Sequence, residues 1–207
     1  MGTSQRRTED REDGRHVRQI RHKSQLVQAL VDHIREHGEV PTADVLAARA
    51  NVSRRSVFRL FSDRSDLLRS TFDHMHAELQ ERLPVPDLSD RTPSELLARL
   101  VDYLGEAYEF VAPFNRVIAR SSGSADLIES ERERIRSISG GTLRAAFAAI
   151  LPRTAMHAPV VRDSIRLTLS WKAWDQLRTE QKASVKHAKE VILHTVTAIL
   201  RDAGVEV

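Results

Sequence analysis

At 207 residues the chain is long enough for one large domain or two small ones, and a formal net charge of +3 is too small to coat nucleic acid by total charge alone. Cysteine is absent, which removes disulfides, thiolate zinc sites and cysteine nucleophiles together and suits a cytoplasmic protein. No stretch approaches the ~18 apolar residues of a membrane span, and no hydrophobic segment follows the opening charges, so neither a membrane partner nor a secretory signal is expected.

Residues 1–20 are almost all polar or charged, with Arg6, Arg7, Arg11, Arg15 and Arg18 set against Glu9, Asp10, Glu12 and Asp13. Such a stretch cannot bury a core and is expected to be a disordered arm. Arms of this kind can reach a minor groove beside a DNA reader, but here the acids offset the arginines. The first helix is predicted over Lys23–His37, with Leu26, Val27, Leu30, Val31 and Ile34 as its apolar stripe and Gly38 as its stop.

Two short helices follow. Thr42 caps the first, in which Val45, Leu46 and Ala50 are apolar at helical spacing. Asn51 tolerates the left-handed conformation that ends a helix. Ser53 caps the second, where Val57, Leu60 and Phe61 fall at i, i+3 and i+4 and so share a buried face. Arg54, Arg55, Ser56 and Arg59 are left outside. From residue 49 to 69 there are arginines at 49, 54, 55, 59, 64 and 69 against only Asp63 and Asp66. Arginine is the side chain best matched to phosphate oxygens and to the guanine edge. A charged helix face is ordinarily just solvated; here caps, turn residue, buried triad and basic face occur in the order of a helix-turn-helix.

A fourth helix is predicted over Arg64–Arg82, stopped by Pro84 and Pro86, and a domain boundary is placed in the loop 84–91. The division expected is an arm over 1–20, a helix-turn-helix domain over 21–83, and a second helical domain over 84–207. Thr92, Pro93 and Glu95 open a fifth helix with a capping box. Pro113 is expected to begin a new short helix, and a long helix is expected to reach Leu151, interrupted at Gly140-Gly141. The last two helices are predicted over Pro159–Arg178 and Ala183–Asp202. Each carries two apolar rows, among them Val161, Ile165, Leu169 and Trp171 on one and Ile192, Val196 and Ile199 on the other. One row suffices to face a protomer's own core, so the second suggests a dimer interface formed with a twin copy. Valine and isoleucine come at helical spacing throughout, so the fold class is all-α.

Residues 22–69 resemble the DNA-binding domain of the tetracycline-repressor (TetR) family of bacterial regulators. In that family a first helix ends in Glu-x-Gly and a Thr opens the second. Ala-Gly-Val-Ser-x-x-Thr-Leu-Tyr-x-Tyr-Phe follows, then Lys-Glu-x-Leu-Leu. Here stand Glu36-His37-Gly38, Thr42, Ala50-Asn51-Val52-Ser53, Ser56-Val57-Phe58-Arg59-Leu60-Phe61 and Arg64-Ser65-Asp66-Leu67-Leu68. Asn51 replaces a glycine. Phe58 and Leu60 stand where the family commonly has phosphate-binding tyrosines, and Arg64 keeps the charge of its phosphate-binding lysine. The resemblance implies a homodimeric repressor that binds a double-stranded DNA operator through Thr42, Ser53, Arg54, Arg55, Ser56, Phe58, Arg59 and Arg64. It also implies a small-molecule effector held among the middle helices, where Tyr103, Phe110, Phe114 and Phe147 could line a cavity. For any one of those aromatics core packing is the commoner role.

Two other patterns could carry chemistry. His33-Ile34-Arg35-Glu36-His37 has the spacing of inverted zinc peptidases, but five residues match easily by chance on a scaffold helix. Asp102, Glu106 and Glu109 share a helix face and could attract a cation, though such faces are ordinarily solvated. No Gly-x-Ser-x-Gly elbow or glycine-rich phosphate loop is present, so neither enzyme activity nor a cofactor or metal is expected. The alternatives to a regulator are a helical small-molecule binding protein that no longer reads DNA, and a metal hydrolase built on His33 and His37.

Overall fold

The computed structural model describes residues 3–86, 91–120 and 159–207, with the side chains of residues 3–16 and 118 left out. Phe147, Gly140-Gly141 and the helix expected to reach Leu151 lie outside the described residues. Within them the chain is all α-helix with no strand: α1 (Thr3–His37), α2 (Ala43–Arg49), α3 (Arg54–Leu60), α4 (Arg64–Arg82), α5 (Pro93–Arg120), α6 (Pro159–Thr168), α7 (Trp171–Thr179) and α8 (Val185–Asp202).

The chain divides into two compact units, residues 1–78 with 113–128 and residues 79–112 with 129–207. The sequence boundary was placed in the loop at 84–91. The first unit instead ends within α4 and takes the last turns of α5 as well. Local patterning cannot show this, because the apolar stripe of α5 runs unbroken from Leu96 to Val117. Pro113, expected to start a new helix, lies inside α5. A mid-helix proline removes one ladder bond and crowds the preceding turn. Burial on both sides of it, at Val111, Ala112, Phe114 and Val117, offsets that cost.

Two further expectations are corrected. Residues 3–20, read as a disordered arm, continue α1 as helix. The stretch has no proline and a single glycine, Gly14, so once the core-bound part of α1 supplies the nucleus, upstream turns add without a new nucleation cost. The helix predicted over Pro159–Arg178 is two helices. Its ladder stops at Thr168, and Ser170 caps α7 by accepting from the Ala173 amide at 3.2 Å.

In the first unit Leu26, Leu30, Val31 and Ile34 of α1 are buried with Leu46 and Ala47 of α2, Val57 and Leu60 of α3, and Leu68, Phe72 and Met75 of α4. Val45, expected inside, is 42% exposed, and Ala47 takes its place. The end of α5 completes this core. Phe114 is 1% exposed, and the Arg35 guanidinium lies 5.7 Å above its ring. Arg35 also grips Glu78 through both guanidinium nitrogens, at 2.8 and 3.2 Å. Arg120 donates to the Gly38 carbonyl at 2.6 Å, closing the left-handed turn (φ 67°) that ends α1.

In the second unit Leu96, Leu97, Leu100 and Leu104 of α5 pack with Ile165, Trp174, Ile192, Val196 and Leu200 of α6–α8. Gly105 permits a close approach: a Cβ there would sit 2.7 Å from Lys189 Cε and 2.9 Å from Trp174 Cη2.

Candidate nucleic-acid interface

The α2–turn–α3 segment is fixed by its own backbone and caps. Thr42 Oγ1 accepts from the Val45 amide at 3.4 Å, and Ser53 Oγ accepts from the Ser56 amide at 3.2 Å. Between the helices Asn51 takes φ 52°, and the Val52 amide donates to Ala47 O at 3.0 Å. These bonds satisfy helix-end groups that would otherwise need water. The turn is therefore held by main chain and small polar side chains, and the long side chains of α3 are left for the surface.

Of those, Arg54, Arg55, Phe58 and Arg59 are exposed, whereas Val57, Leu60 and Phe61 are buried. Leu60 therefore lies off the surface, and the hydroxyl missing there is not a lost surface contact. Arg54 forks onto Asp44 of α2 at 3.0 and 3.2 Å and lies 5.7 Å over the Phe58 ring. The Arg54–Asp44 pair is open to solvent, with side chains 62% and 66% exposed, so it contributes at most ~1 kcal/mol and can open to a competing anion. Arg49 is held by Glu36 at 2.8 Å, which ties α2 to the end of α1. Arg55, Arg59 and Arg64 are exposed and have no carboxylate partner among the described residues. Ser56 Oγ is shared with Ser53 Oγ at 2.9 Å.

Arg64 opens α4, whose first turn is closed by Asp63 accepting from the Asp66 amide at 2.8 Å and by Asp66 accepting from the Ser62 amide at 3.1 Å. That amide bond holds the Asp63 carboxyl below the usual carboxylate range, with Ser62 adding to it.

His33 and His37 stack with ring centroids 4.4 Å apart. His33 is buried, and neither ring nitrogen has a hydrogen-bond partner among the described residues. Burial first, then the neighbouring His37 and Arg49, push its pKa below the ordinary histidine value. Glu36, the candidate base of the zinc-peptidase spacing, is engaged by Arg49. No group of three or more metal-ligating side chains occurs among the described residues.

Of the four aromatics proposed to line a cavity, Tyr103, Phe110 and Phe114 are among the described residues. Phe114 belongs to the core of the first unit, beside a void of only about 10 Å³ lined by Ile34, Leu68, Thr71, Phe72 and Val117. A space of that size holds at most a water. Tyr103 and Phe110 are half-buried in the second unit, and Phe110 lies 6.0 Å from the Arg82 guanidinium. The acidic face of α5 meets the protein's own cations. Asp102 and Glu106 lie 3.1 and 3.6 Å from Lys189, and Glu109 accepts from Trp174 Nε1 at 2.9 Å and from Arg178 at 2.8 and 3.1 Å. Glu109 in turn holds the Arg178 guanidinium above its ordinary pKa. Arg178 also donates to the Ala183 carbonyl, and the buried Tyr108 hydroxyl donates to Leu169 O.

The rows proposed as a dimer interface split in the same way. Ile165, Leu169, Ile192 and Val196 are each at most 4% exposed, within the protomer's own core. Val161, Trp171 and Ile199 are half-buried at its margin. The apolar side chains left outward on α6 are Val160 and Leu167, 78% and 69% exposed. The break at Ser170 means that the row from Val161 to Leu177 does not lie on one continuous helix.

No protein-family profile matches the chain. It is similar to an uncharacterized HTH-type transcriptional regulator of Mycobacterium tuberculosis, 24% identical over 135 residues that cover 62% of this chain and 56% of that protein. The chain thus spans little more than half of that relative's length. It is also similar to an HTH-type transcriptional repressor of the same species and an HTH-type transcriptional regulator of Mycobacterium bovis. Each of these is 26% identical over 145 residues, covering 67% of this chain and 74% of the relative.

Sequence reasoning missed residues 113–120, which complete the core beneath the helix-turn-helix, and Asp44, which sets the Arg54 side chain. Asp44 carried a signal, an acid in the first turn of α2 ten positions ahead of an arginine in the first turn of α3. The late α5 segment carried none, because its pairing with α1 spans 82 positions of chain.

Proposed function

We propose that this chain is a DNA-binding transcriptional regulator of the TetR type: a cytoplasmic homodimer that represses by occupying an operator and is released by a small-molecule effector. Two helix-turn-helix heads would enter successive major grooves of a roughly palindromic site. The observation that carries this reading is the capped α2–turn–α3 element with Arg55, Arg59 and, at the start of α4, Arg64 exposed and without a carboxylate partner among the described residues, on a chain whose net charge is only +3. Guanidinium groups left in water on and beside one short element suit a polyanion. Similarity to HTH-type regulators and a repressor points the same way.

In this reading Arg55 and Arg59 meet base edges, and Arg64 meets a phosphate. Arg54 joins them once Asp44 releases it, while Thr42, Ser53 and Ser56 shape the reading turn. The effector would be held by the second unit, with Tyr103 and Phe110 the described aromatics that remain candidates for its site. Dimerisation would use the outward edge of α6, at Val160 and Leu167, together with the margin formed by Val161, Trp171 and Ile199. A coupling of ~1–3 kcal/mol between effector and operator is enough to change occupancy strongly.

The test is a mobility shift with the DNA flanking the protein's own gene, across a salt series and against a random duplex of equal length. Sequence-selective binding with a steep salt dependence is the expected result. Failure to bind any duplex would leave the helical small-molecule binder as the better reading.

A further inference from the structure

One side chain on α3 does not fit a purely electrostatic reader. Phe58 is 64% exposed, whereas every other Phe, Tyr and Trp among the described residues is buried or half-buried, and it stands on an otherwise cationic face. On the helical wheel it falls between Arg54 and Arg55, away from the buried Val57 and Leu60. Its ring is held in place: the Arg54 guanidinium lies 5.7 Å over it, and that guanidinium is itself anchored on Asp44. Among the described residues the ring's outer surface is left open.

A lone exposed phenylalanine on an ordinary surface needs no explanation. This one is ringed by Arg54, Arg55 and Arg59 on the short helix argued to enter the groove. Whatever covers it must also accept three cations, which disfavours an apolar protein surface. In a major groove the phosphates satisfy the cations, and the apolar group displayed on the base edges is the C5-methyl of thymine.

We propose, resting on the DNA-binding reading above, that Phe58 is a specificity residue that packs on a thymine methyl group in the operator half-site, its ring being held beneath the Arg54–Asp44 pair until DNA draws Arg54 away. The chemistry is burial of one methyl against an aromatic face, with no hydrogen bond required. It makes a thymine preferred at one position of each half-site.

Uracil pairs as thymine does but lacks the methyl, so it isolates this contact. A duplex is selected from a random pool by the purified wild-type protein and then synthesised twice, with thymine or with uracil at a single position at a time. Wild type is expected to lose about fourfold in affinity at the contacted position, the equivalent of one buried carbon, and Phe58→Ala is expected to bind both duplexes equally there. Because the residue is exposed, Phe58→Ala should melt as wild type does. If that variant binds too weakly to measure, Phe58→Leu, which keeps part of the apolar surface, should show a reduced thymine-to-uracil ratio. An identical ratio in wild type and variant at every position overturns the inference while leaving DNA reading intact. A selection that enriches no sequence overturns the DNA reading, and this inference with it.

Discussion

Two regions of the chain, one in each unit, use charge in opposite ways. In the first, around α2 and α3, the cations are exposed: Arg54 is held only by a solvent-open pair, and Arg55, Arg59 and Arg64 form no ion pair among the described residues. In the second, Glu109 is shared by Trp174 and Arg178 with side chains 33% and 25% exposed for the ion pair, and Lys189 is drawn between Asp102 and Glu106. Exposed pairs are cheap to open and contribute little, whereas half-buried, multiply bonded ones fix geometry. A surface meant to exchange its partners is built the first way, and a scaffold the second.

The contrast breaks first at the apolar core of the second unit. Ile192→Asp places a carboxylate where the wild-type side chain is 4% exposed, and should cost about 4 kcal/mol or more by denaturant unfolding. Leu167→Asp, at a site 69% exposed, should leave the fold intact yet loosen self-association in sedimentation velocity. An equal loss of fold in both variants would mean that the two positions are not core and surface.

Next comes the shared carboxylate. Glu109→Ala strands the Arg178 and Trp174 donors and is expected to destabilise the protein by about 2–3 kcal/mol, read as a lower denaturant midpoint. On the reading face, Arg55→Ala should weaken operator binding by roughly 1–3 kcal/mol and relax one position. Arg64→Ala should instead weaken all sequences alike and flatten the salt dependence by about one unit of slope. Neither should change the melting temperature.

A weaker effect belongs to His33. Its folded pKa lies below the ordinary 6.5, so the unfolded chain takes up the proton first as pH falls. The stability this group contributes is complete above about 6.5 and declines as pH drops through that value toward the folded pKa. Melting temperatures compared at about pH 7.5 and 5.5 should fall less for His33→Leu than for wild type. Some slope should persist, because burial also holds His76 below its ordinary value. The smallest change is Asp44→Ala, which removes an exposed pair and should move stability by less than about 1 kcal/mol, measured by thermal melting.

What could be read in advance follows the same contrast. The helix-turn-helix was legible because its determinants are local: caps at Thr42 and Ser53, a left-handed Asn51, and an i, i+3, i+4 triad within one short helix. The second unit was legible as helices but not as surfaces. Ser170 could be recognised as a cap only against a strong amphipathic pattern running through it, so Leu169 and Ile165 were assigned outward when they face in. Phe114 was grouped with Tyr103, Phe110 and Phe147 as an aromatic of the middle helices, whereas its burial is decided by residues about forty to eighty positions earlier.

The clasp of Arg120 on Gly38, with Phe114 seated beneath Arg35, has a consequence for how the molecule is made. The first unit is discontinuous in sequence. During synthesis its four leading helices emerge from the ribosome long before the segment that closes their underside. Until residue 120 has been made, the faces of Ile34, Leu68 and Phe72 that meet Phe114 and Val117 stay uncovered. A fragment ending at residue 83 would therefore carry every reading side chain and still be an open shell, prone to aggregate. Joining residues 113–120 back to it through a flexible linker should restore a cooperative melt, so the head becomes portable only when its late-made wedge travels with it.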